Sequence, residues 1–277
     1  MSQTVTSVAS NPTMMVGDQS LNLADLDVIR YGELVKNDPS EMAKLLKAAE
    51  TKGFFYLDFP DEISPTLTGY LQTAYRNCHE FFNKSKDEKM LAFREGIDRG
   101  YKSGGVESFE IARDEQSDIV LPMPFANHRE ATLELANLCN EIVRTCLRNL
   151  VNGLGSSEFS ILEDDHHPDI QSDSGIKFVS APTKPLAADM PDTTHTDTGS
   201  ITLLWCEKWA SQMQSRESKE WLWIEPKADC VLVNIADHVQ TRTNGRLHSP
   251  VHRISQPGDG EEERLFVSYY LRPSKVN

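Results

Sequence analysis

Six short apolar runs in the second half of the chain, each bounded by turn-forming residues, set the tightest limit on how it can fold: Ile176–Val179, Ile201–Trp205, Trp221–Ile224, Cys230–Ile235, Val251–Ser255 and Leu265–Leu271. Runs of this length that are rich in β-branched and aromatic residues suit extended backbone better than helix. Several in succession, with no helical pattern between them, predict an antiparallel sandwich or barrel.

The first half reads differently. Asp38-Pro39-Ser40-Glu41 has the form of a capping box, with Asp38 as N-cap, Pro39 at the first helical position and Glu41 reaching back. Met42, Leu45, Leu46 and Ala49 follow on one helical face, and Gly53 stops that helix before the apolar strand Phe54–Leu57. Leu26–Ile29 reads as a short strand ahead of it. Ser64-Pro65 opens a second helix bearing Leu67, Leu71, Ala74, Cys78 and Phe82, with His79 as a structural histidine. A third pattern runs from Glu130 to about Val151, with Leu135, Leu138, Ile142, Cys146 and Leu150 on one face, and should buttress a sheet. Residues 1–20, rich in Ser, Thr, Asn and Gln without periodicity, read as a mobile tail. The expected division is a tail over 1–20, a helix-and-strand region over 21–125 and a β-rich region over 126–277, the last two forming one catalytic unit.

At 277 residues the chain can bury a sizeable core. Its 28 Lys plus Arg against 42 Asp plus Glu give a formal charge of −14, and no basic patch appears. Nucleic acid and anionic membranes are therefore not expected partners. No apolar stretch reaches the roughly 20 residues of a membrane span, and the first residues lack the basic start and apolar core of a signal peptide, which predicts a cytoplasmic protein. The five cysteines, Cys78, Cys139, Cys146, Cys206 and Cys230, have no CxxC spacing and read as reduced core thiols.

The chemistry concentrates in His195-Thr196-Asp197. On extended backbone, residues i and i+2 point to one side, so His195 and Asp197 can converge on one ion, with a third ligand from a distant strand. Two imidazoles and one carboxylate suit the facial triad that holds ferrous iron with open positions, and His252 is the downstream candidate. His248, four residues earlier, would lie roughly 13 Å away along a strand and cannot share the ion; His248 and His238 are both expected at the surface. Glu163-Asp164-Asp165-His166-His167 looks metal-like, but acidic runs of this kind are usually hydrated loops. His166 and His167 are accordingly expected to be exposed and dispensable.

Around the triplet stand Val233-Asn234-Ile235-Ala236-Asp237, Thr243-Asn244-Gly245-Arg246, Ser249-Pro250-Val251-His252-Arg253 and Arg264. In this order they resemble the isopenicillin N synthase-like family of non-haem iron, 2-oxoglutarate-dependent dioxygenases. Upstream, Phe81-Phe82, Lys86-Asp87-Glu88-Lys89 and Arg99-Gly100-Tyr101 leading to Glu107-Ser108-Phe109-Glu110 resemble the family's N-terminal region. The resemblance implies a double-stranded β-helix, or jelly roll, behind a helical N-terminal region, hence a mainly β fold with flanking helices. It implies His195, Asp197 and His252 as iron ligands, with 252 − 197 = 55 positions between the last two, and Arg264 as the 2-oxoglutarate anchor. Arginine suits that role because its planar fork makes two charge-assisted hydrogen bonds to a carboxylate.

The implied reaction uses Fe(II), 2-oxoglutarate and O2, releases succinate and CO2, and hydroxylates, desaturates or cyclises a small molecule of the secondary-metabolite kind. The chain departs from the family pattern in three places. Phe266 stands where Arg-x-Ser has its serine, Ser180-Ala181-Pro182 lacks a tyrosine that assists the cosubstrate, and Ala236 replaces a glycine. Ser268 or Ser180 could take over from the missing hydroxyls. The alternatives are an iron oxidase that draws all its electrons from substrate, a zinc hydrolase on the same ligands, a non-catalytic binding module, and, for Arg264, a simple pairing with Glu261-Glu262-Glu263.

Overall fold

The apolar runs pair as strands in the computed structural model, which describes residues 11–104, 106–167, 169–181, 193–257 and 263–274. In chain order the elements are β1 (Thr13–Val16), β2 (Gln19–Asn22), β3 (Val28–Arg30), α1 (Tyr31–Val35), α2 (Pro39–Thr51), β4 (Phe54–Asp58), α3 (Ser64–Phe82), α4 (Lys86–Met90), β5 (Gly100–Ser103) and β6 (Glu107–Ala112). They continue with α5 (Arg129–Leu154), α6 (Ile161–Asp164), β7 (Gly175–Ala181), β8 (Ile201–Trp205), β9 (Ser211–Gln214), β10 (Trp221–Trp223), β11 (Cys230–Ile235), α7 (Asp237–Arg242), β12 (His252–Ile254) and β13 (Arg264–Leu271).

An eight-stranded sheet in the order β3-β4-β11-β8-β13-β7-β6-β5 faces a three-stranded sheet, β10-β9-β12. Every pairing is antiparallel except β3 with β4. This is the expected jelly roll, with helices on the outer face of the large sheet. Alternation along each strand divides the core. One set of side chains, including Phe55, Leu203, Val233 and Tyr269, packs against Leu45, Cys78, Leu135, Ile142 and Cys146 of α2, α3 and α5. The opposite set, including Phe54, Tyr56 and Leu232, meets Met213 and Leu222 of the small sheet. All five cysteines are free thiols, three of them buried in the helix-facing core.

Local details follow from residue chemistry. The carboxylate of Asp38 accepts from the backbone N–H groups of Ser40 and Glu41 at 3.0 and 2.9 Å, so it caps α2 as expected. Glu41 does not reach back to it. Glu41 is buried and accepts instead from the backbone and guanidinium of Arg30 at 2.8 and 2.9 Å, tying β3 to α2. Gly53 ends α2 at φ +69°, and a Cβ there would come within 2.1 Å of the His248 carbonyl oxygen. Only glycine lets the α2–β4 turn lie this close to the segment leading to His252.

Two expectations need correction, for residues 1–20 and for His79, and the 99–110 stretch takes a definite form. Within 1–20, residues from Thr13 onward form the β1–β2 hairpin around Gly17-Asp18 rather than a tail. Leu21 is buried, and Leu23 bridges Trp223 at the edge of the small sheet. The region around 99–110 folds as the β5–β6 hairpin, where Arg99 pairs with Asp114 and Glu115 and the buried Tyr101 donates to Glu107. His79 is exposed, with its ring 3.3 Å from the Asn83 amide.

Candidate metal centre

The inner face of the large sheet carries one cross-strand row, Phe54–Asn234–Thr202–Tyr270, contributed by β4, β11, β8 and β13. Paired residues of adjacent strands share a face, so these four side chains point together into a cavity of about 90 Å³ that also exposes His195, Asp197 and His252.

The three candidate ligands reach this row from two directions. His252 begins β12 in the small sheet, and His195 bridges it in antiparallel fashion, the backbones exchanging N–H···O bonds of 3.0 and 2.9 Å. Two residues on, Asp197 opens the turn into β8. The three residues each offer one ligand atom, all within 4.8 Å of one another. Asp197 Oδ1 lies 3.6 Å from His195 Nε2 and 3.8 Å from His252 Nε2.

The outer atoms are tied back. His195 Nδ1 is 2.6 Å from the Thr193 carbonyl and His252 Nδ1 is 3.0 Å from that of Pro250. A carbonyl only accepts, so each Nδ1 carries the proton and each Nε2 keeps a free lone pair, the tautomer a metal requires. Asp197 Oδ2 accepts from Thr202 Oγ1 at 2.7 Å and Asn234 Nδ2 at 2.9 Å, which aims Oδ1 at the imidazoles. Phe54 packs edge-on against the His252 ring at 5.5 Å.

Burial pushes the Asp197 carboxyl up, but the His195 and His252 rings in their protonated forms, together with the bonds from Asn234 and Thr202, more than offset it. The net result is a carboxylate held well below its usual range. His195 is raised, chiefly by Asp197, whereas burial lowers His252. The group thus provides one carboxylate and two imidazole nitrogens at one opening, with the His195 side chain 45% exposed toward the entrance. This donor set fits a ferrous ion with open coordination positions.

The amide and hydroxyl that hold Asp197 were not singled out in the sequence, although Asn234, an amide inside the apolar run Cys230–Ile235, was a visible signal. With Asp197 as an iron ligand, replacing Thr202 by Val or Asn234 by Ala should weaken Fe(II) binding about 10- to 100-fold, as the loss of an orienting partner does. Anaerobic Fe(II) titration checks this, and unchanged affinity in both variants would remove the two residues from any such role.

Arg264 begins β13 and, by alternation, shares the inner face with Phe266, Ser268 and Tyr270. It is 2% exposed, its Nη1 donates to the Ser255 carbonyl at 3.3 Å and its Nε has no partner. Among the described residues no carboxylate pairs with it. Glu263 instead accepts from Ser180 Oγ at 2.7 Å, while Glu261 and Glu262 lie outside the described residues. Burial works against the Arg264 charge, and a buried guanidinium without an anion calls for one. Ser180 points to the other face from Val179 and is engaged by Glu263, so of the two substitute hydroxyls only Ser268 lines the cavity.

The remaining histidines depart from expectation. His238 is half-buried with Nε2 2.9 Å from Asp165 Oδ2, and His248 is half-buried as well. His166, expected in a hydrated loop, is 4% exposed, whereas His167 is exposed as foreseen. Burial holds the His166 imidazole down to about 4, against an ordinary 6.5. The unfolded chain therefore binds this proton first as the pH falls. Stability that is complete above 6.5 is lost toward 4, by about 2 to 3 kcal/mol at pH 4.5. Denaturant midpoints at pH 7 and 4.5 should show this loss in the parent and not in His166→Gln; equal losses would contradict it.

A jelly roll whose inner face presents two imidazoles and a carboxylate belongs, as a class, with the mononuclear non-haem metal oxygenases. The comparisons give the family. Residues 167–273 match the 2OG-Fe(II) oxygenase superfamily, and residues 23–136 match the N-terminal region described as that of a non-haem dioxygenase in morphine synthesis. The 2-oxoglutarate-dependent dioxygenase iboH of Amanita muscaria is 32% identical over 142 residues, covering 49% of this chain and 68% of that protein. The 2-oxoglutarate-dependent dioxygenase FG08081 of Gibberella zeae is 27% identical over 273 residues, covering 92% and 82%. A Neurospora crassa enzyme solved with alpha-KG and 5-formyluracil superposes with a TM-score of 0.76 at 19% identity, covering 99% of this chain and 88% of that one. The dioxygenase for auxin oxidation 1 of Arabidopsis thaliana, as its 2-oxoglutarate binary complex, gives 0.70 at 18% identity, covering 90% and 93%.

The chain belongs to the 2OG-Fe(II) oxygenase superfamily. It is an oxidoreductase of the dioxygenase type that uses Fe(II), 2-oxoglutarate and O2 on a small-molecule substrate. Hydrolase and binding-module readings fall away with that membership. No helix among the described residues is long and apolar enough to cross a membrane.

Proposed function

We propose that His195, Asp197 and His252 are the iron ligands and that Arg264 binds the distal carboxylate of 2-oxoglutarate. The observation that carries the reading is the orientation of the donors: both Nδ1 atoms and Asp197 Oδ2 are held by protein groups, leaving two Nε2 atoms and one Oδ1 facing a shared opening. When bound, the ferrous ion with 2-oxoglutarate and O2 supplies the oxidising power that removes hydrogen from the substrate as 2-oxoglutarate becomes succinate and CO2.

The chain's own residues then bind, orient and exclude water. Thr202 and Asn234 keep the Asp197 carboxylate from rotating. Phe54, Val179, Leu204, Leu232 and Phe266 supply apolar walls that keep bulk water from the reacting end. Ser268 and Tyr270 are the hydroxyls on the β13 wall, open to a polar group of cosubstrate or substrate.

The proposal extends to a cytoplasmic enzyme of secondary metabolism that acts on a freely dissolved compound and not on nucleic acid or membrane, in keeping with the −14 charge. It also treats the 21–125 and 126–277 regions as one catalytic unit, since a single core joins Ile29, Leu45 and Phe81 to Ile176, Val233 and Leu271. Anaerobic addition of Fe(II) and then 2-oxoglutarate should produce one equivalent of bound iron and a visible charge-transfer band. Iron binding without that band would overturn the cosubstrate assignment, and parental iron binding in His252→Ala would overturn the ligand set.

A further inference from the structure

The acidic run that seemed only to imitate a metal site turns out to lie behind it. His166 follows α6 and is buried although Glu163, Asp164 and Asp165 precede it. Its Nδ1 is 2.5 Å from the Leu162 carbonyl, which fixes the ring proton on that nitrogen, and its Nε2 is 2.7 Å from Ser200 Oγ. Nε2 therefore accepts from the serine hydroxyl, and each nitrogen has one partner of the right kind.

Ser200 is fully buried where the chain leaves Asp197 and enters β8. Its N–H donates to the Leu271 carbonyl at 2.7 Å, and its carbonyl accepts from Ala236 at 3.0 Å, so it joins the ends of β13 and β11. Beside it, a Cβ on Gly199 would lie 2.7 Å from the Leu271 oxygen, which leaves the turn little space to shift. Asp165 grips the other flank. Its Oδ2 is held by His238 Nε2 and Arg242 Nε, and the backbone N–H groups of Asp237 and His238 bond the carbonyls of Asp197 and Gly199 at 2.8 and 3.0 Å.

We propose that His166 is a positioning residue for the metal centre: through Ser200 it fixes the turn 198–200 and thereby the place from which the Asp197 carboxylate meets Thr202, Asn234 and the iron. This rests on the reading of Asp197 as a ligand. The hydroxyl of Thr202 and the amide of Asn234 can direct Oδ2 only when the Asp197 backbone is delivered to within their reach. The turn is the short stretch of chain by which the ligand enters β8. A buried imidazole, rigid and hydrogen-bonded at both nitrogens, is suited to pinning it.

The test measures anaerobic Fe(II) dissociation constants together with thermal unfolding of the metal-free protein. Ser200→Ala removes one hydroxyl at little steric cost, His166→Ala removes the ring, and His166→Gln restores an acceptor and a donor. Leu67→Ala, in the core contact of α3 far along the chain, is the control for loss of stability alone. Ser200→Ala and His166→Ala should each weaken Fe(II) about 10- to 100-fold, the pair together no more than the worse single, and His166→Gln should regain most of the affinity. Leu67→Ala should lower the melting temperature with parental Fe(II) affinity. Parental affinity in Ser200→Ala and His166→Ala, or an equal affinity loss in Leu67→Ala, would overturn the proposal. Asp197→Ala in the same titration keeps the two readings apart: parental affinity there removes Asp197 from the ligand set, whereas lost affinity there beside parental affinity in the His166 variants overturns the positioning role alone.

Discussion

Alanine at His195, Asp197 or His252 should each abolish turnover and reduce bound iron to background, while the metal-free proteins still fold. Two remaining protein donors do not define a face of the coordination sphere, so the loss is expected to be near total rather than graded. The three variants should differ in stability. Asp197→Ala leaves Thr202 Oγ1 and Asn234 Nδ2, both in buried residues, without their acceptor, at about 1 to 3 kcal/mol. His195→Ala removes a half-exposed ring held by one carbonyl and should cost little. Iron analysis of the purified variants with parallel thermal melts decides it, and full iron in any one of them moves that ligand elsewhere.

The second large effect is expected at Arg264. If its guanidinium pairs with the distal carboxylate of 2-oxoglutarate, Arg264→Ala removes a buried charge-assisted contact worth about 2 to 5 kcal/mol. The concentration of 2-oxoglutarate for half-maximal succinate formation should then rise between about 30-fold and several thousand-fold. Arg264→Lys should recover only part, because an ammonium cannot reproduce the two-pronged geometry. Iron binding should not change. A further outcome separates ligand binding from structure. Among the described residues no carboxylate lies beside the buried Arg264 guanidinium, whose only hydrogen bond there goes to the Ser255 carbonyl. Arg264→Met should therefore leave the ligand-free melting temperature unchanged or higher, while abolishing the stabilisation that 2-oxoglutarate gives the parent. An unchanged half-saturation in Arg264→Ala rules the anchor role out.

What the sequence disclosed depended on the range of the interactions involved. Ile201–Trp205 and Cys230–Ile235 were legible as strands because both lie inside the large sheet and are apolar almost throughout. The β9 strand, Ser211-Gln-Met-Gln, was not. It makes only one buried apolar contact, through Met213, and its polar residues resemble a loop. The β1–β2 hairpin was lost in the polar composition around it, with Leu21 its one buried apolar side chain. His195 and Asp197 were legible because their convergence follows from a two-residue spacing. Thr202 and Asn234 were not, since what they do is set by pairing across strands. His166 was misread for the same reason: its neighbours are acidic, but Ser200, 34 positions away, decides its environment. Glu41 chose Arg30, 11 positions back, over the local cap that its spacing suggested.

The Phe54–Asn234–Thr202–Tyr270 row also has a kinetic meaning. Its outer members are 270 − 54 = 216 positions apart, and β4 reaches β13 only through β11 and β8. Early local events in folding, such as growth of α5 or closure of the β5–β6 hairpin, contribute nothing to this row. It exists only when the contacts of greatest sequence separation, the slowest to form in a chain of high contact order, are in place. A half-assembled sheet thus exposes imidazoles and a carboxylate that have not yet been brought together. Ferrous ion captured loosely by such an intermediate would be open to O2 without substrate. Placing the floor of the site across four strands from both ends of the chain ties the ability to bind the metal tightly to completion of the fold.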